Sequence, residues 1–156
     1  MMIKFFLLFV FAVIAVCLII NCVPLRPVVI VENNTGERIY IYAREGVYGV
    51  EPEPDEVDEI VKSKPVIIDA GKVLKIKFSF LSLIRHNVTL DVGWLAKNQY
   101  AYNATGGGGQ NFVFSAEGGV CATTIIVRKG YNNIALKNNT DSLCLKKIIP
   151  FNYVYH

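Results

Sequence analysis

The sequence predicts an all-β fold, a single antiparallel β-sandwich, carried behind an N-terminal apolar segment. Three observations predict it. Short runs rich in β-branched and aromatic residues recur about every ten residues, with Gly and Asn between them. Two of these runs place apolar residues at every second position, which argues for half-buried strands. Finally, residues 5–20 are sixteen consecutive apolar residues (FFLLFVFAVIAVCLII) behind the charge of Lys4.

Inside a soluble domain the apolar run would have to be buried on every side, and nothing precedes it to pack against. Its natural solvent is the bilayer core. Three forms compete: a cleaved signal peptide, an uncleaved membrane anchor, and a lipoprotein-type leader. An anchor needs about 20 apolar residues to cross roughly 30 Å. Residues 5–25, interrupted only by Asn21, reach that length. The run also resembles a bacterial lipoprotein signal, in which a Cys directly follows the apolar region and becomes the lipidated N-terminus. Cys22, behind Leu18-Ile19-Ile20-Asn21, is the candidate for lipidation, with Cys17 as second choice. Each form exports the domain, leaving it in the periplasm or outside the cell. Residues 1–22 are thus leader or anchor, 23–27 a Pro-containing tether, and 28–156 the domain. Pro24 and Pro27 favour extended backbone across the tether.

Along the domain, residues 28–32 and 37–43 (ERIYIYA) flank Asn33-Asn34-Thr35-Gly36 and read as a hairpin. Residues 46–58 hold Gly46, Gly49, Pro52 and Pro54 among acids and read as a loop. Residues 57–68 fit either a short helix or a strand. Residues 72–80 (KVLKIKFSF) form a strand with Leu74, Ile76, Phe78 and Phe80 inward. Residues 87–95 repeat the pattern, with Val88, Leu90, Val92 and Trp94 inward and Thr89, Asp91 and Gly93 outward. Further strands are expected at 100–102, 111–115, 121–128, 131–136 and 143–149, with a last one at 151–155. The strand count and turn chemistry favour an immunoglobulin-like sandwich, which names an architecture and no function. Several runs are too short for a membrane-spanning barrel.

Charge divides the chain. Seven acids lie between Glu45 and Glu59 with no Lys or Arg among them. The remainder holds 16 basic residues against six acidic ones, so an acidic segment is attached to a basic body. Glu51, Glu53, Asp55 and Glu56 are candidates for contact with a basic partner. They lack the oxygen-ligand order of a calcium loop. Tyr40 and Tyr42 are candidates of a second kind, since a tyrosine ring packs while its hydroxyl stays wet. Cys121 and Cys144, the domain's two cysteines, are expected to form a disulfide in an oxidising compartment.

No other motif assembles a chemistry. His86 has no nucleophile or acid in a triad pattern near it. Gly106 to Gly109 lack the Lys-Ser/Thr ending of a phosphate loop and read as a mobile hairpin loop. Asn33, Asn87, Asn103 and Asn138 each begin an N-x-Ser/Thr triplet, which marks an exposed turn whether or not a glycan is attached. No catalytic residue, metal or cofactor is expected, and no nucleic-acid module is recognisable. The expected function is a non-enzymatic envelope-anchored binding protein, immunity- or exclusion-like, that captures a protein partner or an envelope component. The alternative is a structural accessory subunit of an envelope assembly, with an enzyme behind both.

Overall fold

The computed structural model describes residues 2–22, 26–51, 53–140 and 143–152. The N-terminal helix α1 spans Met2–Cys22. Its sequence contains no Gly or Pro, and a helix satisfies every interior backbone group within the segment, which suits apolar surroundings. Between positions 4 and 17 every side chain except that of Val10 is exposed. Among the described residues no helix is long and apolar enough to cross a membrane.

The domain then runs β1 (Val28–Asn34), β2 (Ile39–Val47), α2 (Pro54–Lys62), β3 (Val66–Ile68), β4 (Val73–Lys77) and α3 (Leu81–Ile84). It continues with β5 (Val88–Ala96), β6 (Gly106–Ser115), β7 (Ala122–Arg128), β8 (Ile134–Asn139) and β9 (Lys147–Phe151). The strands form two sheets, one in the order β4-β1-β7-β8 and the other β3-β2-β5-β6-β9. Both turn a face to one core. The four-stranded sheet contributes Val29, Val31, Ile125 and Val127. The five-stranded sheet contributes Ile39, Ile41, Leu90, Val92, Trp94, Phe112 and Ile148. Each such side chain is worth about 1.5–3 kcal/mol when fully buried.

The expected alternation holds along β5, where Val88, Leu90, Val92 and Trp94 are buried and Asp91 and Gly93 half-buried on the other face. Thr89, expected outward, is buried too, with Gly46 opposite it on β2. The strand expected over 72–80 ends at Lys77. Phe78 is buried, but Phe80 takes helical angles (φ −65°, ψ −30°) ahead of α3. The alternation therefore breaks, and Phe80 lies exposed beneath the guanidinium of Arg26, 4.0 Å from its ring centre.

The expected hairpin is a corner. β1 and β2 lie in different sheets, and residues 33–36 carry the chain from one to the other. Asn33 holds the corner and is wholly buried. Its Nδ2 donates to the carbonyls of Glu37 (2.8 Å) and Ile68 (3.0 Å). Its Oδ1 accepts from the Thr35 amide (3.1 Å) and hydroxyl (2.7 Å). Both Nδ2 protons are thus engaged, so the folded chain closes this triplet to a glycan. β1 pairs in parallel with β7, from Val28↔Ala122 to Asn34↔Arg128, in a fold expected to be antiparallel throughout. Most of the domain separates these two strands, so no tight turn dictates their relative direction.

The glycine run is not a loop. Gly106 to Gly109 begin β6 and pair with Ala96 to Gly93 of β5. A Cβ on Gly106 would stand 2.5 Å from the Gly130 carbonyl oxygen. One on Gly108 would stand 2.7 Å from both the Trp94 ring and Asn132 Oδ1. Glycine is needed here for close approach, not for freedom of backbone angles.

The acidic loop is shorter than expected, because α2 starts at Pro54. Proline suits a first helical turn, Asp55 and Glu56 face the positive end of the helix dipole, and Lys62 faces the negative end. The ambiguous stretch 57–68 is therefore helix followed by β3. Residues 100–102 are not a strand. A 3₁₀ turn covers Ala101–Asn103, held by the Asn98 Oδ1 accepting the Tyr100 amide at 2.9 Å. β8 and β9 begin three and four residues later than expected, at Ile134 and Lys147. Phe151 closes β9, and positions 153–155 of the expected last strand lie outside the described residues.

Candidate functional site

On the outer face of the five-stranded sheet, period-two geometry sends Tyr40, Tyr42 and Arg44 of β2 to the side opposite Ile39 and Ile41. The β2–β5 register sets Tyr42 against Gly93 and Arg44 against Asp91. Gly93 has no side chain, so the surface dips beside Tyr42. The helix α2 rises next to this dip and forms its wall. The result is a cleft of about 660 Å³ between β2, β5, α2 and the segment around α3.

Its charge is lopsided. Glu45, Glu51, Glu56, Glu59 and Asp91 line it, against Arg44 and Arg85. Arg44 reaches Glu56 across the cleft at 3.6 Å. It leaves the Oδ1 of Asp91 buried and without a hydrogen-bond partner among the described residues. Burial pushes the Asp91 carboxyl above its ordinary value, and the nearby positive charge of Arg44 partly counters this. Tyr42 donates to the Gln99 carbonyl at 3.0 Å, and burial raises its phenol, helped by Tyr100 and Tyr40. Glu45 is committed elsewhere. It accepts from the Ser79 amide (2.6 Å) and hydroxyl (2.8 Å) and from the Ser82 hydroxyl, and so orders the turn into α3.

The sequence-derived candidates divide here. Glu51, Glu56 and Tyr42 line the cleft, whereas Glu53 and Asp55 are exposed outside its lining. Tyr40 sits half-buried on the same face, nearer the start of β2. Arg44, Glu59, Arg85 and Asp91 were not singled out. The outward parity of Asp91 was readable, but its cross-strand partner Arg44 was not. His86 is exposed in the turn between α3 and β5, outside the cleft lining.

The chain matches no protein-family model, no curated protein and no solved structure.

Cys121 and Cys144 form the expected disulfide, with a Cα–Cα distance of 5.6 Å. Cys17 is exposed on α1, and Cys22 is the last residue of that helix. Among the described residues no group of three His, Cys, Asp or Glu side chains is placed to hold a metal ion.

Proposed function

We propose that the chain is a non-enzymatic, envelope-anchored binding protein: an immunoglobulin-like sandwich, tethered through its N-terminal segment, that captures a basic stretch of a protein partner. The observation that carries this reading is the cleft, where five carboxylates face two guanidinium groups. A lysine or arginine side chain entering there would meet Glu51, Glu56 and Glu59 from the α2 side and the half-buried Asp91 carboxylate from β5. Partial burial of that carboxylate makes an incoming cation more valuable than it is at a fully wet surface. The apolar run supports the tether, since the natural solvent of sixteen consecutive apolar residues at positions 5–20 is the bilayer core. The disulfide supports export to an oxidising compartment. An immunity- or exclusion-like role is the pointed form of this reading.

The alternative, a structural subunit assembled through strand edges, is less well supported. The edge strand β4 exposes Lys75 and Lys77, and the edge strand β8 exposes Lys137. Lysines on edges oppose pairing with another chain.

The test uses the full chain in detergent and a fluorescent oligolysine peptide. Binding is expected to weaken with salt and to fall about tenfold in the triple variant Glu51→Gln/Glu56→Gln/Glu59→Gln, near 1.4 kcal/mol. Equal binding by the variant would remove the cleft from the proposal.

A further inference from the structure

The end of the domain nearest α1 differs from the rest of its surface. Arg26 comes four positions after Cys22, so the end of α1 lies at most roughly 14 Å along the chain from Arg26. The Arg26 guanidinium sits on the ring of Phe80 and donates to the Phe78 carbonyl at 3.0 Å. Phe80 leads directly into α3, and that short helix crosses between the end of β4 in one sheet and the start of β5 in the other. The segment behind the disulfide joins it there. Lys146 Nζ donates to the carbonyls of Arg85 (2.7 Å) and Ser82 (3.4 Å). The disulfide links Cys144 to Cys121, whose carbonyl accepts the amide of Val28 at the start of β1.

Here lie the two most exposed large aliphatic side chains among the described residues of the domain. Ile84 is 77 % exposed and Leu143 78 %, and Phe80, Leu81 and Leu145 are more than half exposed. Basic residues surround them. Arg26, Lys77, Arg85, Lys146 and Lys147 lie at this end, against Glu117 and the committed Glu45, with the acidic cleft of Glu51, Glu56 and Glu59 opening on the other side of Arg85. At the opposite end Tyr100, Tyr102 and Tyr131 are exposed, together with Val66, Ile67 and Val73.

We propose that this end is a membrane-contact surface, with Phe80, Leu81, Ile84, Leu143 and Leu145 entering the interface and the surrounding cations meeting anionic lipid headgroups. Apolar side chains ringed by Lys and Arg are the composition that binds such an interface. Because the tether is so short, the bilayer is the surface this patch meets first. The proposal rests on the reading of the N-terminal segment as the membrane attachment. Its consequence is a fixed posture, in which the domain stands on the membrane with its tyrosine-rich end pointing away.

The test reconstitutes the full chain in vesicles of phosphatidylcholine with phosphatidylglycerol carrying bromine at shallow acyl positions. Flotation with the vesicles is measured first. Tryptophan quenching is then compared for Ile84→Trp and for Tyr131→Trp, about 20 Å away at the far end of the strands, with the unsubstituted chain giving the buried Trp94 background. The proposal expects Ile84→Trp to be quenched at least about twofold more strongly, as befits a side chain some 5–10 Å into the interface. It also expects that excess to shrink when Lys77→Gln and Lys147→Gln are added or when phosphatidylglycerol is omitted. Flotation with equal quenching of the two variants would overturn the contact surface and leave the tether standing. A blue-shifted but unquenched Ile84→Trp would overturn it in favour of contact with a second copy of the chain. Failure to float would overturn the tether and this proposal together.

Discussion

The side-chain nitrogen of Asn33 donates a 3.0 Å hydrogen bond to the carbonyl oxygen of Ile68, and this bond joins β1 of one sheet to β3 of the other. Around it, the Asn33 amide donates to Lys72 and the Asn33 carbonyl accepts from Gly71. One buried polar residue thus serves the corner, the β3–β4 turn and the junction between the sheets. Asn33→Ala removes the side-chain partner of the Ile68 carbonyl and the Thr35 amide, leaves the Glu37 carbonyl with the Thr35 hydroxyl, and is expected to cost roughly 3 kcal/mol. The shift of the urea midpoint in the full chain measures it. A cost below about 1 kcal/mol would mean that water replaces the side chain at the corner.

Gly108 and Gly109 provide a matched pair. A methyl group at Gly108 meets Trp94 and Asn132 at 2.7 Å, whereas at Gly109 the nearest atom is the Val92 carbonyl oxygen at 3.6 Å. Gly108→Ala is expected to destabilise by about 1–3 kcal/mol through overpacking. Gly109→Ala is expected to be neutral or to stabilise by up to about 1 kcal/mol, by restricting the unfolded chain. Equal tolerance at both positions in denaturant melts would contradict the paired strand and favour a mobile loop.

Cys121 and Cys144 are 23 positions apart, and their bridge closes a loop containing β7 and β8. Replacing both with Ser is expected to lower stability by roughly 2–4 kcal/mol. Thermal melts with and without reductant provide the check: reductant should lower the melting temperature of the parent and leave the double variant unchanged.

Asp91 links the cleft to pH. Burial raises its carboxyl above the ordinary value of 3.8, so between 3.8 and the raised value the folded state holds a proton that the unfolded state has lost. Stability therefore declines as pH rises through that window, and the deficit persists at neutral pH. Asp91→Asn should flatten this part of the stability profile and be more stable than the parent at neutral pH. Arg44→Gln should widen the window upward, because it removes the charge that favours ionised Asp91. Denaturant titrations at acid and neutral pH measure both, and a steeper profile in Asp91→Asn would refute the assignment.

Much of the fold was legible where neighbouring residues carried the signal. The inward set Val88, Leu90, Val92 and Trp94 was readable because alternation is local to one strand. Phe80 escaped because Glu45, distant in sequence, binds Ser79 and Ser82 and turns the chain into α3. The acidic candidates were half-legible. Glu51 and Glu56 belonged to an obvious cluster, but Arg44 and Asp91 become neighbours only through the pairing of β2 with β5.

By itself the sequence determined the β character of the domain, the core face of its best strands, the cysteine pair and the apolar N-terminal run. These are properties of residue type and short-range period, and they do not depend on which strand lies beside which. Tertiary structure alone decided that Asn33 to Gly36 turn a corner between sheets, that β1 runs parallel to β7, that four glycines form a strand beneath Trp94 and Asn132, and that an acidic cleft opens beside α2. Each of these depends on contacts between segments far apart in the chain, where sheet closure and side-chain volume override local preference.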